Sequence, residues 1–502
     1  MDRTAAELTT RLVVGMEIHV ELATRAKMFS SAPNVAHPDH FDAEPNTLLD
    51  PVVIGLPGVL PVINRRAVEM AMLVGLALNC RIAGYTKWDR KSYYYPDLPK
   101  NYQISQYDQP LCVDGSCQIP SDEPNQTQTI RIIRAHLEED AGKLLHEAPG
   151  GVPIDHSIVD LNRAGTPLLE IVTYPDFASA EQAVHFARLL RQICRHLGVS
   201  HCIMQRGQMR FEPNINVIIE QGGTEYRTPI VEIKNLNSFK ALENAIRYEQ
   251  KRQVDRWLQH PQTAAPGTKS TRGWDDVRNQ TVLQREKEEA HDYRYFPDPD
   301  LVPLKISDAW IGQVRCHLGE RPDARKSRYV NELALPVKDA GAIVDDPYLC
   351  RFFDQVMAEG ADPRRAASML RNAGARLARQ RGCTIDQLGI TAAQLKGIID
   401  LVEAGKIGST GADELFGYCL DDDRPAQELA AAHRLLQISG TEALAGFVDQ
   451  VLVDPSNSRA IADMRSGKDK AVGALIGHVM KLSKGQANPQ RVVALIREKL
   501  QL

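Results

Sequence analysis

The stretch Val-Gly-Met-Glu-Ile-His-Val-Glu at Val14–Glu21 decides the fold of the N-terminal part of the chain. Glu17, His19 and Glu21 alternate with apolar residues, and this period of two predicts a β-strand with one polar and one apolar face. Two carboxylates and an imidazole on one face repel or desolvate each other unless something binds between them. A divalent cation is the simplest occupant. The alternative is a solvated edge strand, because alternation by itself indicates only a half-buried strand.

Composition describes an ordinary globular protein. The 502 residues are too many for one core and predict two to four domains. No apolar run is long enough to span a membrane, and the N-terminus has no signal pattern, so we expect a cytoplasmic protein without a membrane partner. The nine cysteines form no C-x-x-C pair and no zinc-ribbon spacing. The net charge of −4 argues against a globally basic nucleic-acid binder, although residues 431–502 hold ten basic and six acidic side chains.

An acidic run forms the second candidate site. A strand predicted over Thr129–Leu137 ends in Glu138, Glu139 and Asp140, followed by Gly142-Lys143. A turn after a strand lets neighbouring carboxylates converge on a metal ion. A solvated acidic turn is the alternative.

Two later predicted strands again carry polar side chains on one face. These are Arg210, Glu212, Asn214 and Asn216 within Met204–Asn216, and Glu232 and Lys234 within Val231–Ser238. One polar cavity holding metal and polyphosphate accounts for all of these strands, and one solvated sheet face is the alternative. The chain has no Walker sequence and no convincing G-x-G-x-x-G, so ATP would bind without a P-loop.

Bases and aromatic residues interleave in Lys87–Gln109, where Pro96 and Pro99 keep the backbone extended. This mixture suits a nucleotide or a single-stranded tRNA end, through stacking and phosphate contacts. A tyrosine-rich surface loop is the alternative.

Capping residues predict the helices of the same region. Asn64 predicts a helix over about 65–78, and a Ser179/Gln182 capping box opens one that Gly198 ends. A further helix is predicted over about 239–258. Beyond residue 305 the pattern is almost entirely helical. Six arginines in Asp362–Gly382 form a basic segment that suits tRNA phosphates, or else a solvated charged helix.

Seven motifs together resemble the GatB family, the B subunits of aspartyl/glutamyl-tRNA(Asn/Gln) amidotransferases. They are Gly15–Leu22, Tyr95–Lys100, Leu137–Lys143, Val159–Leu168, Ile233–Ser238, Asp292–Pro297 and Met480–Pro489. The resemblance covers nearly the whole chain in order. It implies an α+β protein, with a cradle catalytic domain of mainly antiparallel sheet at 1–304. An all-helical domain contacting tRNA follows at 305–430, and a small helical tail binding tRNA at 431–502.

The resemblance also implies the activity, that of a ligase forming carbon–nitrogen bonds with glutamine as amide donor, in protein biosynthesis. ATP would phosphorylate the side-chain carboxylate of mischarged Glu-tRNA(Gln) or Asp-tRNA(Asn), and ammonia would then displace phosphate. No G-x-S-x-G elbow or activated cysteine is evident, which agrees with a hetero-oligomer in which a separate amidase (glutaminase) chain and a third, small chain are the partners. A free-standing carboxylate–amine ligase and a non-catalytic tRNA-binding scaffold remain the alternatives.

Site residues follow from the resemblance, with ATP and Mg²⁺ as cofactors. The expected metal ligands are Glu17, His19 and Glu139, with Glu138 and Glu212 as further ligands. The expected catalytic set is Glu17, His19, Glu139, Arg210 and Lys234, and the expected ATP contacts are Arg210, Glu232 and Lys234. Arg210 and Lys234 would neutralise phosphate, and Glu232 would orient Lys234 or hold a second metal.

Two departures from the family pattern stand out. The regions where some members carry zinc-binding cysteine pairs read Phe29-Ser30-Ser31 and Asp50–Val53 here, so no zinc is expected. Glu212 stands where an aspartate is usual, and Arg206 has no obvious place in an acidic site.

Overall fold

The computed structural model describes residues 8–148, 152–286, 293–437, 441–466, 468–483 and 486–501. The chain divides into two compact units, Met1–Asp323 and Ala324–Leu502. The predicted order, an α+β region with a mainly antiparallel sheet followed by helices, is confirmed. None of the helices in the described part of the chain combines the length and the apolar content that a bilayer span requires.

The first unit holds the strands that the structure describes. They are β1 (Thr9–Glu21), β2 (Arg81–Ile82), β3 (Tyr85–Thr86), β4 (Asp89–Ser92), β5 (Tyr102–Ser105), β6 (Cys112–Pro120), β7 (Thr127–Glu139), β8 (Lys143–Ala148), β9 (Val152–Asp160), β10 (Pro167–Thr173), β11 (Met209–Gln221), β12 (Thr224–Arg227), β13 (Val231–Lys234), β14 (Ser270–Asp275), β15 (Gln280–Glu286), β16 (Phe296–Pro297) and β17 (Leu304–Lys305). Its helices are α1 (Arg65–Ala77), α2 (Ala180–His196), α3 (Phe239–Gln259) and α4 (Asp308–Arg315).

One large sheet organises this unit. Its strand order is β15-β14-β13-β11-β1-β10-β7-β6-β2, with β12 paired to β11, and only the β13–β14 pair is parallel among the described strands. Val14–Glu21 of β1 therefore lies inside the sheet, between β10 and β11, and is not part of an edge strand. Small sheets of β16-β4-β5, β17-β3 and β8-β9 accompany it.

The apolar face of the sheet forms the core of the first unit. Met16, Ile18 and Val20 are almost fully buried on that face. Helix α1 packs against β6 and β7, α2 against β6, and α3 against β11. Burial of these side chains supplies most of the stabilisation, at about 25 cal/mol per Å² of apolar surface.

Local capping positions the helices much as the sequence predicts. The Asn64 side chain accepts hydrogen bonds from the N–H groups of Arg66 and Ala67 at the start of α1. Ser179 accepts from Gln182 N–H at 3.2 Å, but the Gln182 side-chain oxygen accepts from Ala178 N–H and not from Ser179. The first hydrogen bond of the predicted capping box is therefore present. In the second, the glutamine side chain binds the backbone N–H one residue before the N-cap.

Two strand boundaries differ from prediction. Strand β7 continues through Glu139, so Glu138 and Glu139 lie within the strand and not in the turn that the sequence predicts. Strand β11 begins only at Met209, because a 3₁₀ turn occupies Met204–Arg206. The first difference changes the predicted site, since consecutive strand residues point to opposite faces.

The second unit is helical in its described residues. It contains α6 (Val337–Val344), α7 (Pro347–Ala358), α8 (Pro363–Met369), α9 (Ala375–Arg381), α10 (Ala392–Glu403), α11 (Ser409–Tyr418), α12 (Ala426–Ala432), α13 (Thr441–Val453), α14 (Ser458–Arg465), α15 (Val472–Leu482) and α16 (Pro489–Leu500). Helix α5 (Pro322–Asn331) spans the boundary between the units. Two separate apolar clusters form its cores, one within 329–430 and one within 444–500.

Candidate active site

Charged side chains line the face of the sheet opposite the apolar core. Antiparallel register places Glu17 opposite Glu212 of β11, and His19 opposite both Glu170 of β10 and Arg210 of β11. In β13, Glu232 stands opposite Asn214 of β11. The strands that carry the predicted polar residues therefore lie side by side, as a single polar site requires.

A compact acidic group surrounds the central histidine. His19 Nε2 lies 3.5 Å from a Glu170 oxygen and 3.7 Å from a Glu138 oxygen. One donor atom from each of the three residues lies within 4.8 Å of the other two. Two carboxylates and an imidazole are ordinary ligands of a divalent cation.

Burial sets the electrostatics of this group. Burial lowers the pKa of His19, but the hydrogen bond and charge of Glu170 outweigh it and raise that pKa to about 9. Burial and the Glu170 charge raise the pKa of Glu138 to about 7. Burial would also raise the pKa of Glu170, but His136 and His19 hold it below its usual range. The site therefore carries carboxylate charge that only a proton or another cation balances.

Unpartnered polar atoms test whether these residues suit a bound cation. His19 Nδ1, Glu21 Oε1 and Asn214 Oδ1 are buried and form no hydrogen bond with the described residues. A buried polar atom without a partner costs free energy unless water or a ligand satisfies it. The donor set and these atoms fit a hydrated divalent cation with a polar substrate beside it.

Sequence reasoning missed Glu170. It is the one charged residue in the otherwise apolar strand Leu168–Val172, and that contrast was the available signal. His136 Nε2 lies 3.5 Å from a Glu170 oxygen, so two histidines contact this carboxylate, one from β7 and one from β1.

Glu139, by contrast, does not join Glu17 and His19. Its carboxylate forms an ion pair with Lys100 and accepts a hydrogen bond from Ile104 N–H at 3.0 Å. The physical reason is that β7 continues through both acids, and consecutive residues of one strand point to opposite faces. In the structure, Glu138 and Glu170 are the acids that stand beside this histidine, and the metal-binding role expected of Glu139 stays a prediction.

The expected phosphate-binding cations lie on the polar face, and each is held by acids. Arg210 donates to an Asp140 oxygen at 2.6 Å, while its buried Nε has no partner among the described residues. Lys234 Nζ lies 2.8 Å from Glu212 and 3.1 Å from Glu232. Glu212 is therefore placed as a partner of Lys234, and Glu232 contacts Lys234 in the way that an orienting role requires.

A second carboxylate pair lies beside Arg210. Asp140 also approaches Arg163 at 3.6 Å, and these guanidinium charges outweigh burial and lower the pKa of Asp140. Burial and the Asp140 charge raise the pKa of Glu21 to about 8. Glu21 thus differs from Glu17 and His19, because it faces the Asp140–Arg210 pair and not the candidate metal site of His19, Glu138 and Glu170.

The tyrosine-rich segment supplies a lysine that contacts two tyrosine rings. Lys91 Nζ lies 4.9 Å from the ring centre of Tyr293 and 5.9 Å from that of Tyr93. Burial would lower the pKa of Lys91, but Glu138, Tyr295 and Glu170 raise it above its ordinary value. The ammonium group of Lys91, on strand β4, therefore interacts electrostatically with the acidic cluster.

Two protein families match this chain, one in each of its two compact units. Residues 12–312 match the family described as the GatB/GatE catalytic domain, and residues 351–500 match the one described as the GatB domain. A protein of Moorella thermoacetica, named as the B subunit of aspartyl/glutamyl-tRNA(Asn/Gln) amidotransferase, is 43% identical over 489 residues, which cover 97% of this chain and 99% of the relative. The chain belongs to the GatB family.

Further relatives with the same name support this assignment. One from Rhodopirellula baltica is 41% identical and covers 96% of this chain and 95% of its own. One from Listeria monocytogenes is 42% identical and covers 97% of this chain and 98% of its own. As a GatB protein, the chain is a component of an amidotransferase, a ligase, and the designation of its relatives as one subunit implies further subunits.

Arg206 has a place outside the acidic site of this GatB protein. Its guanidinium donates to the Phe41 carbonyl at 2.6 Å and to Asp42 at 2.9 Å, and it lies 5.1 Å from the Phe41 ring centre. The side chain therefore fastens the 41–42 segment to the 3₁₀ turn that precedes β11.

The basic segment 362–382 is more balanced than its sequence indicates. Arg371 pairs with Asp339, Arg365 lies 3.3 Å from Glu403, and Arg381 lies 2.6 Å from Asp421. A five-residue π-turn, Leu370–Gly374, interrupts the helix between α8 and α9. Arg376 and Arg379 are exposed and pair with none of the residues that the structure describes.

Proposed function

We propose that the protein amidates mischarged Glu-tRNA(Gln), Asp-tRNA(Asn) or both in two steps. The side-chain carboxylate attacks the γ-phosphorus of ATP, ADP leaves, and an acyl phosphate forms. Ammonia then attacks the carbonyl carbon and phosphate leaves, which gives the amide. The single observation that carries this proposal is the largely buried His19–Glu138–Glu170 cluster on the polar face, in a chain of this family.

His19, Glu138 and Glu170 would hold Mg²⁺, with Glu17 on the same face next to His19. Mg²⁺ bound there would offset phosphate charge during phosphoryl transfer. Support comes from the donor set and from the unpartnered His19 Nδ1. The absence of structural zinc stays a prediction.

Arg210 and Lys234 would bind the phosphates of ATP and stabilise charge that develops on the transferred group. Asp140 positions Arg210, while Glu212 and Glu232 position Lys234. A cation held between two carboxylates keeps one orientation, and this preorganisation favours a transition state over a flexible ground state.

Ammonia would come from a separate amidase (glutaminase) chain, in a hetero-oligomer that also holds a third, small chain. The relatives' names, each of which designates one lettered component of an amidotransferase, support a multi-chain enzyme. Residues 305–430 and 431–502 would contact the tRNA. The exposed Arg376 and Arg379, which pair with no described residue, are the best placed to meet phosphate.

The deciding experiment measures ATP cleavage by the complex of this chain with its co-expressed partner chains. ADP should form only when Glu-tRNA(Gln) or Asp-tRNA(Asn) is added. Glu138→Gln should lower the rate by roughly 10²–10³-fold, the scale seen when one charge-stabilising group is removed. Glu220→Gln, at the exposed far end of β11, makes the same chemical change away from the cluster and should leave the rate unchanged.

Other outcomes would point to other functions. Cleavage supported by free glutamate or aspartate would favour a free-standing carboxylate–amine ligase. If tRNA binds, ATP is never cleaved and Glu138→Gln has no effect, the chain is a scaffold.

A further inference from the structure

Two tyrosines form a stacked pair at the surface of the first unit. The ring centres of Tyr107 and Tyr295 lie 4.2 Å apart and their planes differ by 10°. Tyr107 is 50% exposed, whereas Tyr295 is only partly exposed. The Tyr107 side chain forms no hydrogen bond with the described residues. Its position is therefore set by stacking and by its backbone.

The backbone on both sides of the pair is fixed. Tyr107 N–H donates to the buried Asp89 carboxylate at 3.1 Å, and Lys87 forms an ion pair with the same carboxylate. Strand β16 pairs with β4 so that Phe296 stands opposite Arg90, which brings the preceding Tyr295 alongside Lys91. Both tyrosines are thus anchored to β4, the middle strand of the small β16-β4-β5 sheet. Tyr107 is anchored through the Asp89 carboxylate, and Tyr295 through the pairing of β16 with β4.

The acidic cluster lies close to the chain segment that carries Tyr107. Ser105, the last residue of β5, places its Oγ 3.4 Å from a Glu138 oxygen, and Tyr107 follows two residues later. Burial raises the pKa of Tyr295, Lys91 opposes that shift, and the charges of Glu138 and Glu170 add to it, so the value is about 12. The stacked pair stands next to the reaction site and opens to solvent on the Tyr107 side.

The structure of the substrate limits how far the terminal base can lie from the reacting carboxylate. In a glutamyl ester of tRNA, the reacting side-chain carboxylate and the terminal adenine are separated by about ten covalent bonds, or roughly 10 Å. With the carboxylate at His19, Glu138 and Glu170, the terminal base must lie within that radius. Aromatic side chains bind unpaired bases by stacking, and a half-exposed ring on a fixed support suits this use.

We propose that the exposed face of Tyr107, supported by Tyr295, is the stacking platform for the 3′-terminal adenine of the aminoacyl-tRNA. The assignment rests on the proposed function, because the substrate defines which base arrives there. Tyr107 is then a binding residue and not a catalytic one. Its loss should raise KM for the charged tRNA and leave kcat nearly unchanged.

The test uses the full hetero-oligomer and Glu-tRNA(Gln) with 2-aminopurine in place of the terminal adenine. Stacking on an aromatic ring quenches this fluorophore. Tyr107→Phe should keep the quenching and the KM. Tyr107→Ala and Tyr107→Leu should lose the quenching and raise KM about 5- to 100-fold, the range that one stacked base contributes. Tyr174→Ala, a partly exposed tyrosine that follows β10, is the matched control and should change neither quantity.

Unchanged quenching and KM in both Tyr107→Ala and Tyr107→Leu would overturn the platform. So would a loss of glutamine-dependent activity with full activity on free ammonium, because Tyr107 would then contact the amidase partner. Failure of the proposed function is distinguishable. If the wild-type complex cleaves no ATP with charged tRNA, the fluorescence titration still reports whether the terminal base stacks on Tyr107.

Discussion

The two faces of the large sheet use the same strands for opposite purposes. On β1, Met16, Ile18 and Val20 are buried under the helices, while the residues that alternate with them, Glu17, His19 and Glu21, lie on the opposite, polar face. The apolar face gains free energy from burial, whereas the polar face holds unpartnered atoms and crowded carboxylates. One face stabilises the fold that keeps the other in a chemically useful but unfavourable arrangement.

The largest expected effect is the loss of stability when a side chain on the apolar face is shortened. Ile18→Ala removes methyl groups from a fully buried position and should lower the free energy of unfolding by about 2–5 kcal/mol. Urea denaturation of the first unit, monitored by tryptophan fluorescence, measures the change. Ile18→Val is the control and should cost only about 0.5–1.5 kcal/mol. A loss below about 1 kcal/mol for the alanine variant would contradict a close-packed face.

The second prediction breaks the polar face at the residue that sequence reasoning missed. Glu170→Gln removes one charge beside His19 and should lower tRNA-dependent ATP cleavage by roughly 10²–10³-fold. The concentration of Mg²⁺ needed for half-maximal rate should rise in the same variant, since one ligand becomes neutral. An unchanged magnesium dependence would remove Glu170 from the metal site.

Glu21 on the polar face should make the stability of the protein depend on pH. The pKa of Glu21 is about 8 in the folded protein and near 4.5 when unfolded, so the folded state binds more protons between these values. The stability that protonated Glu21 contributes is fully present below pH 4.5 and is lost as pH rises through 8. Glu21→Gln lacks this loss, and should gain on the order of 3 kcal/mol relative to wild type between about pH 5 and pH 8. If the denaturation midpoints of both proteins change equally with pH, the pKa of Glu21 is not raised in the folded protein.

The smallest expected effect lies at the edge of the apolar face. Asn64→Ala removes the cap of α1 and two hydrogen bonds to the carbonyls of Ala26 and Lys27, each 3.0 Å long. The free energy of unfolding should fall by about 1–2 kcal/mol. Asn64→Asp keeps the capping oxygen but loses the amide donors, so its loss should be smaller. Equal losses in the two variants would assign the whole effect to the amide donors and none to the cap.

Local pattern in the sequence was sufficient for the β1 strand, for the starts of α1, α2 and α3, and for most of the polar face. Alternation and capping depend on neighbours within a few residues, so they are readable from the chain alone. The contact of Glu232 with Lys234 was foreseen for the same reason, because alternate residues of one strand share a face.

Tertiary structure decided which acids meet. The length of β7 places Glu138 beside His19 and Glu139 beside Lys100, and the β1–β10 register brings Glu170 to His19 from a distant part of the chain. Strand ends and registers depend on pairing between distant segments, and a shift of one residue exchanges the two faces. Alternation in the sequence is therefore enough to predict that a polar face exists. Which carboxylates gather around His19 on that face depends on how the strands pair in the folded sheet.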